Sequence, residues 1–299
     1  MKYPDKVKIV EVGPRDGLQN EKKNITTQNK IELVERLAKA GVRFIEAAAF
    51  VSPKWVPKMA DSGDVMKQLK RQSGVVYSAL TPNMKGFNAA LAAQVDEVAI
   101  FGAASETFSQ TNINCSISES LQRFVPVTKA AKKIGMPVRG YISCVLGCPY
   151  EGEVSVEAVV EVARTLTEIG CYEISLGDTI GIGTPAKAQT MINAVAHAIS
   201  IDNIAVHFHN TYGQALANIL AAMEVGVSVI DTSISGLGGC PYAKGASGNV
   251  ASEDVLYMLD GLGVETGINL DSMVETADFI SKVLGRSSNA KVTRARVKE

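Results

Sequence analysis

The chain has 299 residues and a formal net charge of −1 at pH 7, with acidic and basic residues interspersed along its length. This pattern argues against a nucleic-acid surface and against a polybasic membrane patch. No apolar run approaches the roughly 18 residues of a membrane span. The N-terminal residues lead directly into a predicted strand, so we expect no signal or transit peptide. The five cysteines are odd in number and form no Cys-x-x-Cys motif, so we expect a reduced, cytoplasmic compartment.

Predicted strands and helices alternate along the whole chain. Each strand is a short apolar run, and the segment after it carries apolar residues at helical spacing. In chain order, the predicted strands are residues 7–12, 43–47, 75–80, 95–101, 137–144, 171–176, 204–210 and 227–232. A long loop is expected at residues 102–116. The helix after the sixth strand begins at Thr184 and Pro185, an N-cap residue followed by a proline.

Eight strand–helix pairs in about 260 residues predict a closed parallel (β/α)8 barrel, or TIM barrel. The alternative is an open doubly wound sheet, although no Gly-x-Gly-x-x-Gly turn follows the first strand. We expect residues 1–265 to form the catalytic barrel domain. Residues 266–299 are expected to form a C-terminal helical extension, with a basic, mobile tail from Arg286 that packs on the barrel or trails from it.

The seventh predicted strand carries two of the three histidines. Side chains alternate between the two faces of a strand, so His207 and His209 project from the same face. Two imidazoles on one face form half of a metal site. The alternative is a pair of hydrogen-bonded histidines in the core.

Polar residues also stand in or after other predicted strands, near the carboxyl ends where the active sites of such barrels lie. They are Arg15, Asp16 and Gln19 after the first strand, Glu46 in the second, Arg139 and Tyr141 in the fifth, Asp178 after the sixth, and Asn249 beyond the eighth. Any one of them could be a turn former, a snorkelling side chain or a helix cap. Their joint occurrence favours a polar catalytic funnel. A set of one Asp, two His and an amide oxygen suits Mg²⁺ or Mn²⁺ better than structural zinc.

The segment after the eighth strand is rich in glycine, with five glycines in residues 236–248. Glycines permit sharp reversals, so we expect a Gly-rich catalytic flap that folds over a bound ligand. The alternative is a flexible connector. A connector has no need of Cys240 followed by the rigid Pro241 at its centre.

Five motifs together resemble the 3-hydroxy-3-methylglutaryl-CoA (HMG-CoA) lyase family. They are residues 13–21 (GPRDGLQNE), 50–57 (FVSPKWVP), 175–181 (SLGDTIG), 207–209 (HFH) and 236–242 (GLGGCPY). The resemblance runs from Val7 to about Leu284, and the Cys-containing loop is very specific to that family. The Arg-Asp-Gly turn and the His-x-His strand are shared more widely with Claisen-type condensing enzymes such as isopropylmalate and homocitrate synthases.

This resemblance implies a divalent cation, Mg²⁺ or Mn²⁺, and a defined set of site residues. The implied metal ligands are Asp16, His207, His209 and Asn249; the implied catalytic residues also include Arg15 beside the thioester carbonyl, Glu46 and Asp178 in the polar shell, and Cys240 on the flap. We expect Arg15, Gln19, Arg139 and Tyr141 to bind the acyl-CoA substrate. The implied reaction cleaves (S)-HMG-CoA to acetyl-CoA and acetoacetate, in leucine degradation and ketone-body formation. A homodimer or other homo-oligomer is also expected.

Several points stay open on the sequence. Either His207 or Asp16 is a candidate for the base that takes the hydroxyl proton. The CoA nucleotide has candidate sites in the basic residues and in residues 112–114. Asn210 stands where family members commonly have Asp, and residues 47–49 are a run of alanines. The other hypotheses are a condensing synthase on the same barrel and a non-catalytic protein that binds a metal or acyl-CoA.

Overall fold

The structure is a computed structural model that describes residues 3–239 and 248–297. Within these residues, eight parallel strands close into a barrel, in which each strand pairs with the next and β8 pairs with β1. The prediction of a (β/α)8 barrel is confirmed, and the open doubly wound sheet is wrong. Strands β1 to β8 are Lys8–Glu11, Phe44–Ala49, Val76–Leu80, Glu97–Ala103, Val138–Ser143, Glu173–Asp178, Ile204–Phe208 and Val229–Thr232.

Helices surround the barrel. Helices α1 to α12 are Leu18–Asn20, Thr27–Lys39, Ser62–Gln68, Met84–Ala92, Glu106–Ile113, Ile117–Lys133, Val156–Ile169, Pro185–Ala196, Ala215–Glu224, Ser252–Gly261, Leu270–Leu284 and Lys291–Arg296. One of them, α5, lies in the segment that we expected to be a loop. Its start is capped by Ser105, whose hydroxyl accepts the backbone N–H of Phe108. With few apolar residues, α5 has no apolar stripe that periodicity could reveal. None of the helices described here is long and apolar enough to cross a membrane.

The main apolar core lies between the strands and the helices. In α7, for example, Val159, Val162, Ala163 and Leu166 are buried on one face, as their helical spacing predicts. The helix begins after a capping Ser155 and ends at Gly170, which has a left-handed backbone conformation. A separate small cluster of Val10, Val12, Ala205 and Val229 is formed by residues of β1, β7 and β8 and the turn after β1.

A chain of ion pairs crosses the inside of the barrel. Lys8 Nζ lies 2.5 Å from Glu173 Oε2, and Glu173 Oε1 accepts a hydrogen bond of 2.6 Å from Arg139 Nε. Arg139 Nη2 in turn donates to Asp231 Oδ1 at 2.6 Å. Alternate residues of each barrel strand point inward, which brings these four side chains from different strands together. We call Lys8, Glu173, Arg139 and Asp231 the ion column.

The C-terminal helices complete the ring around the barrel. Helix α11 packs on both α2 and α10, and α12 packs on α10 and α11. The carboxylate of Asp254 accepts two backbone N–H groups of α12, and Thr293 Oγ1 donates to Glu253 Oε1 at 2.6 Å. Residues 291–293 are therefore bonded to α10 in the structure. The basic composition of the segment suggested a tail, but acceptors on α10 bind these residues. The division between residues 265 and 266 remains a proposal.

Candidate active site and metal centre

The turn after β1 is built to hold its side chains over the barrel mouth. Residues 13–17 form one π-helical turn, in which the backbone N–H groups of Arg15, Asp16 and Gly17 all lie within 3.3 Å of Val12 O. Such turns occur frequently at functional sites. A Cβ at Gly17 would lie 2.6 Å from Leu237 Cβ, so glycine allows this turn to approach the loop after β8.

Three of the predicted ligands converge at this mouth. Ligand atoms of Asp16, His207 and His209 all lie within 4.8 Å of one another, and the two imidazole centroids are 5.5 Å apart. Asn249 forms a backbone bridge with His209, and its Nδ2 donates to Asp16 Oδ2 at 2.8 Å. The chain thus brings together the Asp, the two His and the Asn, although they come from three separate segments.

The protonation of this cluster suits a divalent cation. Burial lowers the pKa of His209 to about 4, and its Nδ1 has no hydrogen-bond partner among the described residues. Burial alone would raise the pKa of Asp16, but Arg15 and the two histidines outweigh it and lower this pKa to about 2. Metal ions bind neutral imidazole and ionised carboxylate. An unpaired buried ring nitrogen beside a carboxylate therefore fits a metal centre.

His207 is held by a residue that the sequence analysis did not identify. Its Nδ1 lies 3.2 Å from Asp231 Oδ2, which also accepts Ser175 Oγ at 2.7 Å. A carboxylate at one ring nitrogen fixes the tautomer and leaves the other nitrogen for a metal. The missed signal was a carboxylate in the last but one position of the eighth predicted strand, the position that Glu46 takes in the second.

Arg15 lies between the metal cluster and a buried glutamate. Its Nε donates to Glu46 Oε2 at 2.8 Å, and its Nη1 donates to Asp16 Oδ1 at 2.7 Å. Tyr141 OH also donates to Glu46 Oε2, at 3.2 Å, and the Arg15 guanidinium stands 5.6 Å from the Tyr141 ring centroid. Burial raises the pKa of Glu46 despite the positive charge of Arg15. Arg15 can therefore bind an anionic group of a substrate, and Glu46 can hold a proton at the same site.

Two other predicted site residues, Asp178 and Arg139, form hydrogen bonds and ion pairs within the protein. The Asp178 carboxylate accepts the backbone N–H groups of Ile182 and Gly183, and burial raises its pKa to about 6. Arg139 is 1% exposed and is paired within the ion column. It lies two positions before Tyr141 on β5, so it faces the inside of the barrel one layer deeper than the mouth.

The remaining predicted positions are distributed around the mouth. Gln19 lies in α1 and has a buried Oε1 with no hydrogen-bond partner in the part of the chain described here. Asn210 Oδ1 accepts the N–H of Ala215 at the start of α9. Residues 112–114 end α5, and Asn114 is left-handed with φ of 51°. Cys240 belongs to the part of the predicted flap, residues 240–247, that lies outside the described residues.

Comparison with known proteins gives consistent results over the full length. The family model described as HMGL-like matches residues 6–280. The mitochondrial hydroxymethylglutaryl-CoA lyase of Rattus norvegicus is 59% identical over 295 residues, which are 99% of this chain and 91% of that protein.

Two solved structures extend the similarity to three dimensions. Hydroxymethylglutaryl-CoA lyase from Pseudomonas aeruginosa is 57% identical with a TM-score of 0.97, and the match covers 99% of this chain and 98% of that one. An HMG-CoA lyase from Acinetobacter baumannii, solved in complex with coenzyme A and 3-methylmalate, is 33% identical with a TM-score of 0.94. That match covers 99% of this chain and 97% of the other. The family model, the sequence identities and the shared barrel together show that the chain belongs to the HMGL-like family.

Proposed function

We propose that this chain is a carbon–carbon lyase that cleaves (S)-HMG-CoA to acetyl-CoA and acetoacetate. The observation that carries this proposal is the cluster of Asp16, His207 and His209 in direct contact with the buried cation Arg15. The cleavage needs a hydroxyl to lose its proton and negative charge to develop on a thioester. A carboxylate–imidazole cluster beside a guanidinium provides for both, and the family membership supports the same reaction.

The metal proposed for this site is Mg²⁺ or Mn²⁺, held by Asp16, His207, His209 and the side-chain oxygen of Asn249. These ligands are oxygen and nitrogen atoms without thiolates, which suits both ions. When bound, the ion supplies a Lewis acid that orients the substrate and makes its tertiary hydroxyl more acidic.

In this retro-Claisen cleavage, residues of the protein transfer the protons and stabilise the negative charge that develops. Of the two candidate bases, His207 has Nδ1 against Asp231 and its other ring nitrogen assigned to the metal, so we propose that Asp16 takes the hydroxyl proton. The carbon–carbon bond then breaks, and its electron pair moves onto the thioester as an enolate. Arg15 lies where its guanidinium can stabilise the enolate oxygen. One preorganised donor of this kind lowers the activation free energy by about 3–4 kcal/mol.

The enolate carbon then needs a proton, and we propose Cys240 as its donor. General acid–base steps typically raise the rate about 10²–10⁴-fold.

The other predicted site residues surround this chemistry. Glu46 and Tyr141 lie beside Arg15, and we propose that they and Gln19 contact the acyl group. Because Arg139 is fully paired inside the barrel, we now assign it a positioning role through Asp231 instead of substrate contact. Asp178 is proposed to fix the loop after β6 through its two backbone contacts.

Acetoacetate release from (S)-HMG-CoA by the purified chain tests the proposal. A condensing synthase would instead release free CoA thiol from acetyl-CoA and a 2-oxo acid, and a binding protein would turn over neither substrate. Chelation should abolish cleavage, and Mg²⁺ or Mn²⁺ should restore it. Full turnover of a chain shown by elemental analysis to hold no metal would refute the metal proposal. Asp16→Asn, which removes one ligand charge, is the inactive control.

Three further proposals concern the setting of the enzyme. We propose a homodimer or other homo-oligomer, which analytical ultracentrifugation would measure. A cytoplasmic location is proposed from the cysteine usage, and a role in leucine degradation is proposed from the family resemblance. Cell fractionation tests the location, and growth of a deletion strain on leucine tests the role.

A further inference from the structure

Glu21 joins three distant parts of the chain. Its Oε1 accepts the backbone N–H of Gly238 at 3.1 Å and Arg286 Nη2 at 2.5 Å. Its Oε2 accepts Arg286 Nε at 3.3 Å. The side chains of Glu21 and Arg286 are 11% and 28% exposed, so the ion pair is largely shielded from water. The loop after β1, the segment after α11 and the loop after β8 therefore meet at one carboxylate.

Gly238 belongs to the stem of the Gly-rich loop, which we define as residues 236–239 and 248–249. The two sides of this stem are bonded, because Gly238 O accepts the N–H of Gly248 at 3.0 Å. The stem also holds a proposed metal ligand, since Asn249 Nδ2 donates to Leu237 O at 3.2 Å. A Cβ at Gly238 would lie 3.1 Å from that same Nδ2. A shift of the backbone at Gly238 would therefore move the side chain of Asn249.

We propose that Glu21 and Arg286 form a clasp that positions Asn249 at the metal centre. This inference rests on the proposed function, and both residues are positioning residues that touch no reacting atom. The carboxylate fixes the N–H of Gly238, and the guanidinium fixes the carboxylate by charge-assisted hydrogen bonds. The segment after α11, which the sequence suggested was a mobile tail, thereby becomes part of the active-site support.

Mn²⁺ affinity of the full-length chain tests the clasp, measured by calorimetric titration without substrate. Glu21→Ala removes the acceptor for Gly238 and should weaken Mn²⁺ binding about tenfold, at the low end for supports of metal ligands. Glu21→Gln keeps an acceptor oxygen at the weaker neutral strength, so its Mn²⁺ affinity should stay within about threefold of wild type. The Mn²⁺ affinity of Arg286→Met should lie between those of Glu21→Ala and Glu21→Gln.

Lys23→Met is the matched control. Lys23 Nζ donates to Val283 O at 2.7 Å, so it ties the same two chain segments together without contacting the stem. Its Mn²⁺ affinity should equal that of wild type. Wild-type affinity in Glu21→Ala would overturn the clasp, and so would an equal loss in Lys23→Met, which would indicate general loosening. Acetoacetate release is measured separately, so a failure of the lyase proposal leaves the Mn²⁺ comparison as an independent result.

Discussion

Asp231→Asn tests whether the inside of the barrel supports the metal centre. Asp231 is 2% exposed and accepts hydrogen bonds from Arg139 Nη1 and Nη2, from Ser175 Oγ and, where His207 carries a proton on Nδ1, from that nitrogen. Burial alone would raise the pKa of this carboxyl, but Arg139 and His207 hold it well below its ordinary range. The substitution removes a full negative charge and turns one acceptor into a donor.

The expected losses follow from these contacts. Removing one partner of a buried ion pair costs about 3–5 kcal/mol of unfolding free energy. Arg139 keeps its pair with Glu173, so we expect a value near the lower end of that range. An outer partner of a metal-binding histidine is worth about 10–100-fold in metal affinity. At about 1.4 kcal/mol per tenfold, this is roughly 1.4–2.8 kcal/mol of binding free energy.

Urea unfolding measures the first loss and Mn²⁺ titration measures the second. Nitrogen NMR of the labelled histidines reports the tautomer of His207 directly. Ser175→Ala is the control, because it removes a neutral hydrogen bond to the same carboxylate and should cost only about 1 kcal/mol of stability. If Asp231→Asn binds Mn²⁺ as tightly as wild type and keeps the same tautomer, Asp231 does not support the metal centre.

Three other predictions concern the site and its surroundings. Arg15→Gln should lower kcat far more than it raises KM, because its charge is needed most as the bond breaks; a change in KM alone would assign Arg15 to ground-state binding. Cys240→Ala should lose about 10²–10⁴-fold in kcat with unchanged metal affinity, whereas His209→Ala should lose both, and a fully active Cys240→Ala would leave no catalytic role for the thiol. Burial raises the pKa of Glu253 from 4.5 to about 7, so the folded chain retains a proton that the unfolded chain releases, and the free energy of unfolding falls by up to about 3 kcal/mol as the pH rises through this window. Glu253→Gln should remove that part of the slope in urea titrations at pH 5 to 8, and an unchanged slope would count against it.

Local pattern was enough to predict the barrel and the grouping of the candidate ligands. Strand and helix periodicity gave the eight repeats, and the alternation of side chains in β7 placed His207 and His209 on one face. The motif resemblance identified Asp16 and Asn249 as their companions, which the structure brings together. The barrel and the grouping of these four side chains were accessible from the sequence because they depend on short spacings or on the shared geometry of parallel strand ends.

The sequence did not reveal contacts between residues that are far apart along the chain. The depth of Arg139 inside the barrel depends on the register of β5 against β6, where it lies opposite Glu173. Asp231 stands in β8, and its partners come from β5, β6 and β7. The C-terminal residues up to Val297 are ordered by acceptors on α10, which no local composition reveals.

The pairing of β1 with β8 has a consequence for the newly made chain. At a synthesis rate of about 5–20 residues per second, roughly 10–45 s pass between the addition of Lys8 and that of its partner Val229. One edge of β1 has no strand to pair with during that time, and unpaired edges attract other chains. The closed barrel thus ties the lifetime of an aggregation-prone edge to the speed of translation, and slower synthesis prolongs it in proportion.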